Sequence, residues 1–335
     1  MKPKHFALSL IAAGLGLFGV VLGANVVIDP QAVLGTNLLG HVELPNQRYS
    51  AFEDFLAQPG RYDGLVFGSS RGPGIDPKRL TREMDGIVFA DFSVSSGQIS
   101  DHLPVLEYAV RDKDPKRKKI RAVFLMLDAD YFGVRQIGRN AMYTLLHPML
   151  TGEARSRFIW RHLTAIQPRA WSLGVRQWWR RRGGMRVELI GRAHAQSTAS
   201  QVAQRADAAP KHNPEKKRIT FGSEFERQIA LLRRFVELCR ANDIKLIVAL
   251  SPLNRLNASQ YEAADLDMVV QRIAAVVPVW DFDSPAWLAG TEFWRDPSHF
   301  NPVVGEMMAD RIFGRPAARL DFGRLRGGES SGSGA

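Results

Sequence analysis

The chain has 335 residues, 45 % of them hydrophobic and 24 % charged, proportions that exclude both a wholly disordered chain and a polytopic membrane protein. Its length suits one large α/β domain with an insertion, or two small domains. The formal net charge of +11 comes largely from two clusters, Arg111 to Arg121 and Arg176 to Arg186; no zinc-finger, RNP or helix-turn-helix pattern accompanies them, so no nucleic-acid partner is expected.

The first element in chain order is apolar. From Phe6 to Ile28 no charged side chain occurs, and about 20 such residues span a hydrocarbon layer of about 30 Å as a helix. Lys2, Lys4 and His5 precede it, which places the bulk of the chain on the side away from the cytoplasm. A cleaved signal peptide ending near Ala24 is the alternative; Leu22 is large for the matching upstream position, which favours an uncleaved anchor. The expectation is a single-pass protein of the inner (cytoplasmic) membrane with its folded part in the periplasm. Residues 29–62 then form a connecting segment, 63–326 the main domain, and the Gly/Ser-rich residues 327–335 a disordered tail.

Five short apolar runs follow: Gly64 to Gly68, Ile87 to Val94, Ala122 to Leu127, Lys245 to Leu250 and Val277 to Phe282. Helical stretches separate most of them, the signature of a parallel sheet covered on both faces. Ligands of such sheets bind beyond the carboxyl ends of the strands. The helix before the fourth run is predicted to start with a Ser223/Glu226 capping box and to bury Phe225, Ile229, Leu232, Val236 and Cys239. The single cysteine is thus expected in core packing. Asn301 and Pro302 predict the start of a last helix striped by Val304, Met308 and Ile312. About a hundred residues separate the third and fourth runs, too many for a simple crossover, so an insertion is expected at about 135–218. It contains a helical-looking stretch, Ala141 to Leu163, then a Trp/Arg-rich patch suited to a solvated face, to anionic lipid headgroups or to an acidic polysaccharide. A linker without apolar periodicity closes it, Arg192 to Lys217.

Chemistry concentrates at two places. After the first strand, Gly68-Ser69-Ser70-Arg71-Gly72 puts a serine on a sharp turn, a position ordinary loop chemistry also explains. A hydroxyl nucleophile requires an adjacent base, and the base an orienting partner. Asp296-Pro297-Ser298-His299 offers both: at this spacing Asp296 can accept from Nδ1 of His299 and leave Nε2 to take a serine proton. Alone, such a segment also fits a helix cap with a surface histidine. In a sheet ordered 2-1-3-4-5 the carboxyl ends of the first and fifth strands share one edge of the domain, so the two segments can meet.

The Gly-Ser-Ser turn and the C-terminal Asp-x-x-His resemble the first and last blocks of the SGNH (GDSL-like) hydrolases, over roughly Asp63 to Phe313 without the insertion. The resemblance implies a flavodoxin-like three-layer α/β/α sandwich with a five-stranded parallel sheet, and a nucleophilic Ser70, with Ser69 as the fallback. His299 and Asp296 would complete the catalytic set. It also implies an oxyanion hole from the backbone N–H groups of Ser70 and Gly97, although a glycine there also suits a plain turn. The third block departs from the family: Leu127-Asp128-Ala129-Asp130 replaces Gly-x-Asn-Asp. The missing donor could come from Asn254, with Arg71, Asp128 and Asp130 left for substrate contact or structural capping. Two carboxylates without a histidine cluster suggest no metal, and no cofactor is expected. The tether and the Gly-Ser-Ser-Arg block are similar to the branch that includes D-alanyl-transfer and alginate O-acetylation proteins. That similarity implies acyl transfer or ester hydrolysis on a cell-envelope glycan. It also leaves open a non-catalytic accessory role beside a membrane-bound O-acyltransferase.

Overall fold

A computed structural model describes residues 3–36, 38–39, 46–133, 142–182, 216–282, 285–296, 298–316 and 318–327. The expected linker through residue 215 and the tail from residue 328 lie outside the described residues. The helices are α1 Pro3–Ile28, α2 Gln47–Ala57, α3 Pro77–Glu83, α4 Ile99–Arg111, α5 Pro148–Thr151, α6 Arg155–Thr164, α7 Pro168–Arg182, α8 Ser223–Ala241, α9 Arg255–Ala258, α10 Ala263–Ala274 and α11 Pro302–Ile312. Two compact units emerge, Met1–Glu53 with Gly138–His194, and Asp54–Ile137 with Ala195–Ala335.

In the second unit the five apolar runs become parallel strands: β1 Gly64–Gly68, β2 Phe89–Ser93, β3 Ala122–Leu127, β4 Lys245–Leu250 and β5 Val279–Asp281. Every residue of β1 and β3 is buried, as strands covered on both faces must be. Alternate side chains go to opposite layers. Val66, Phe124 and Met126 join Leu80 of α3 and Val304 and Met308 of α11, whereas Phe67 meets Phe92, His102 of α4 and Phe235 of α8 on the other face.

The sheet has six strands, not five. Beyond β6 Trp294–Asp296 and β7 His299–Phe300, which form a separate antiparallel pair, β8 Arg324–Arg326 adds antiparallel to β5 and completes the order β2-β1-β3-β4-β5-β8. Arg-Leu-Arg has no apolar run to announce a strand. Charge completes the pairing instead: Nε of Arg326 lies 3.1 Å and Nε of Arg324 3.5 Å from Oδ2 of Asp281 on β5.

Two local expectations are corrected. The N-cap of α8 is Gly222 rather than Ser223, with no side-chain cap, because Glu226 turns away to pair with Arg272. Phe225, Ile229, Leu232 and Cys239 of the expected face are buried, whereas Val236 is only half-buried and Phe235 beside it is buried instead. The Ala141 to Leu163 stretch is not one helix: α5 starts at Pro148 and ends at Thr151, capped by Gly152 with a left-handed φ of 72°, before α6 begins. Residue 141 lies outside the described residues.

In the first unit, α1 carries an 18-residue window of mean hydropathy 2.2, only 6 % of it buried, and is long and apolar enough to cross a bilayer. Its last turns are covered: Val21, Asn25 and Ile28, one face at helical spacing, are buried. Asn25 is 0 % exposed and donates to the carbonyls of Leu163 and Ala165, both at 2.8 Å, while the indole of Trp171 donates to it at 2.9 Å. The stretch expected as a connector takes part in this unit, since Val33 and Tyr49 share an apolar cluster with Phe158 of α6.

Candidate active site

The end of β1 and the β6/β7 pair bring a serine, a histidine and an aspartate together. Ser70 is exposed, and its Oγ lies 2.9 Å from Nε2 of His299. Nδ1 of His299 sits 2.9 Å from both Oδ1 and Oδ2 of Asp296. A carboxylate can only accept, so the ring proton belongs on Nδ1, and Nε2 is left to accept from the serine hydroxyl. Burial alone would raise the Asp296 carboxyl, but the His299 ring and the backbone N–H of Ser298 overcome it and hold it below the usual carboxylate range. The Ser298 and His299 N–H groups donate to Oδ1 of Asp296 at 2.8 and 3.0 Å, which fixes the turn between base and acid.

Two glycines hold the serine turn against the histidine segment. A Cβ on Gly74 would lie 2.1 Å from the ring of Phe300, the residue after His299, and a Cβ on Gly305 of α11 would lie 1.8 Å from the carbonyl oxygen of Gly74. The backbone after Ser70 therefore lies directly on the helix that follows the histidine. Pro302 and Asn301, whose Oδ1 accepts from the Val303 N–H at 3.0 Å, start that helix where this contact needs it.

Behind the serine lies a buried polar cluster. Arg71, 6 % exposed, forks onto Asp130, with Nη1 at 2.6 Å from Oδ1 and Nη2 at 2.9 Å from Oδ2. Asp128 stands 3.4 Å from Nη1 and accepts from the Ser251 hydroxyl at 2.6 Å. The guanidinium also reaches the loop between the acid and the base: Nε donates to the Ser298 carbonyl at 2.9 Å and Nη2 to its Oγ at 3.2 Å. Burial opposes the charge of Arg71, but Asp128 and Asp130 beside it raise its affinity for the proton above that of an ordinary arginine.

These contacts reassign several residues that the sequence offered for substrate or oxyanion contact. Arg71, Asp128 and Asp130 are occupied with one another and with the Ser298 loop. Ser69 is 3 % exposed, and its Oγ accepts from the Arg71 N–H at 3.1 Å, so it shapes the turn while Ser70 faces out. The Gly97 N–H donates to the Val94 carbonyl at 2.9 Å; the glycine is there because a Cβ would sit 2.5 Å from the Gly68 carbonyl oxygen. Asn254 caps α9 by accepting from the Leu256 N–H at 2.8 Å. Of the donors expected for an oxyanion, the Ser70 N–H remains, and it meets no carbonyl among the described residues. Sequence reasoning missed Ser251, Ser298, Gly74 and Gly305. Only a glycine inside an otherwise regular helix, Gly305, could have drawn attention to one of them.

Among the described residues no group of histidine, cysteine and acidic side chains is arranged to hold a metal ion. Comparison with protein-family models and with curated proteins returned no match.

Proposed function

We propose that this chain is an extracytoplasmic serine acyltransferase or esterase of the SGNH type. In this reading the fold is the flavodoxin-like sandwich of that family, and α1 serves as an uncleaved anchor in the cytoplasmic membrane with the second unit on the periplasmic side. The substrate is a cell-envelope glycan bearing O-acetyl or similar acyl groups. The observation that carries the reading is the 2.9 Å contact from Nε2 of His299 to Oγ of Ser70, with Asp296 bracketing Nδ1; a productive base lies about 2.6–3.2 Å from the proton it takes. Retention of α1 is supported by Asn25 and Ile28, which cleavage near Ala24 would strip of the helix that positions them.

His299 takes the hydroxyl proton as Ser70 attacks the acyl carbonyl, and the Ser70 N–H stabilises the oxyanion. Collapse expels the donor alcohol, which receives the proton from His299. A glycan hydroxyl or water then gives its proton to His299 as it attacks the Ser70 ester, and His299 returns that proton to Oγ of Ser70 as the tetrahedral intermediate collapses and the serine leaves. Asp296 stays ionised throughout and stabilises the imidazolium.

A second reading, a non-catalytic accessory of a membrane-bound O-acyltransferase, is favoured by one observation: the Gly97 N–H, expected as the second oxyanion donor, is committed to the Val94 carbonyl. Full-length protein in detergent, tested with p-nitrophenyl acetate and a fluorophosphonate probe, separates the two. Catalysis predicts turnover and labelling at Ser70, both lost in Ser70→Ala and His299→Ala. Equal background rates in all three proteins, with no labelling, would leave only the accessory role.

A further inference from the structure

The Trp/Arg-rich insertion is joined to the apolar helix itself. The Val21/Asn25/Ile28 face of α1 is the one covered, and a Cβ on Gly174 of α7 would lie 2.6 Å from Ile28, so the two helices nearly touch there. Trp160 of α6 lies beside Phe18, with ring centroids 6.1 Å apart. Phe18 is seven residues before Asn25, hence roughly 10 Å further along α1, within the stretch that is otherwise exposed over residues 3–20.

The outward side of α6 and α7 has the composition of a bilayer surface. Trp160 is 55 % exposed, Val175 41 % and Trp179 63 %, and Ile166, between the helices, is 71 % exposed. On α7, Val175, Arg176 and Trp179 share one helical face with Ser172, while Trp171, Gly174 and Trp178 turn inward. Exposed Arg157, Arg169 and Arg176 accompany them, and neither helix contains an aspartate or glutamate. Trp at the headgroup level with arginines beside it is the pattern of an interfacial amphipathic helix. An acidic polysaccharide would satisfy the arginines alone; it would leave unexplained why the exposed Trp160 adjoins the apolar surface of α1.

We propose that α6 and α7 form a collar around the end of α1, with Trp160 and Trp179 seated in the headgroup layer of the bilayer that α1 crosses and the arginines on its anionic lipids. The collar fixes the first unit to the membrane surface by two kinds of contact, a span and a patch. It is independent of the catalytic reading.

The test uses full-length protein reconstituted in phosphatidylcholine vesicles, with and without phosphatidylglycerol, in which a fraction of the lipid is brominated either near the headgroup or near the chain end. Headgroup-proximal bromine should quench the tryptophan emission of the unaltered protein more than chain-end bromine does. Trp160→Phe with Trp179→Phe should remove half or more of that quenching, and phosphatidylglycerol should deepen it. Absence of shallow quenching in the unaltered protein overturns the proposal whatever the variant does, as does quenching unchanged in the variant. Equal quenching with and without phosphatidylglycerol overturns the assignment of the arginines to anionic lipid. Emission that responds to a soluble acidic polysaccharide and not to brominated lipid would make the patch a glycan site and overturn the collar.

Discussion

Arg71 is the residue on which most of the candidate site's rigidity converges, because it joins the carboxylates after β3 to the loop between Asp296 and His299. Arg71→Met would strand two buried carboxylates, and breaking such a cluster typically costs about 3–5 kcal/mol; a large loss of Tm is the expected reading. Arg71→Lys keeps the charge but cannot reproduce the planar fork. It should lower kcat with little change in KM, since it loosens the base rather than the substrate. Asp130→Asn, which removes the charge and turns one of the two oxygens that accept the fork into an amide donor facing the guanidinium, should lower Tm more than Asp128→Asn, which meets Arg71 at one longer distance. Asp296→Asn should leave the fold intact and lower kcat by about 10⁴-fold, as loss of the orienting carboxylate does in the serine-protease triad. A kcat within tenfold of the unaltered enzyme would remove Asp296 from the mechanism.

The elements meet at the site through backbone contacts that tolerate no side chain. In Gly305→Ala the new methyl faces a carbonyl oxygen at 1.8 Å, so α11 must move away from the Ser70 turn. Overpacking of this kind costs about 1–3 kcal/mol, and the move should also lengthen the serine–histidine contact. Activity should therefore fall further than stability, measured by initial rates beside a thermal melt. On the opposite face of the sheet, α8 buries Cys239, and burial pushes its thiol up to about 12. At pH 8 it should react with a thiol reagent only after unfolding, because the thiolate is the nucleophile; prompt labelling of native protein would show that this face of α8 opens.

At the scale of the whole molecule, acid should act through buried groups of the first unit. There burial lowers the pKa of His147 despite Glu53 beside it, and burial lowers that of His162. The His147 and Tyr49 hydrogen bonds hold Glu53 low against its own burial. Each group then binds fewer protons folded than unfolded, so stability falls as pH falls: through the histidine range below about 6.5 first, and through the carboxylate range afterwards. Thermal unfolding followed by tryptophan emission should shift down by several degrees between pH 7.5 and 5.5, and His147→Asn should shrink that shift. A Tm independent of pH over this range would mean that these groups titrate alike in both states.

How much was legible in advance follows from how far apart the interacting residues are. The five parallel strands, the apolar helix and the start of α11 were readable because each is written in a local run: a burst of β-branched and aromatic side chains, a charge-free stretch, an Asn-Pro cap. The Ser70, Asp296 and His299 positions were readable only together, as a Gly-Ser-Ser turn and an Asp-x-x-His segment that resemble two blocks of one family; that Asp296 and His299 would stand on a β6/β7 pair outside the parallel sheet was not legible. β8 was not, because an Arg-Leu-Arg strand is recognised by its partner Asp281 rather than by its own hydrophobicity. Nor were the roles of Arg71, Asp128 and Asp130, or of Gly97 and Asn254, since a charged or polar residue after a strand looks the same whether it faces a substrate or an ion pair buried behind it. The sequence by itself therefore determined the segments and the chemistry they could carry. Tertiary structure alone decided which polar groups spend their hydrogen bonds on one another and which are left exposed, because that depends on contacts such as Arg71 to Ser298 and Gly305 to Gly74, made between residues more than two hundred positions apart.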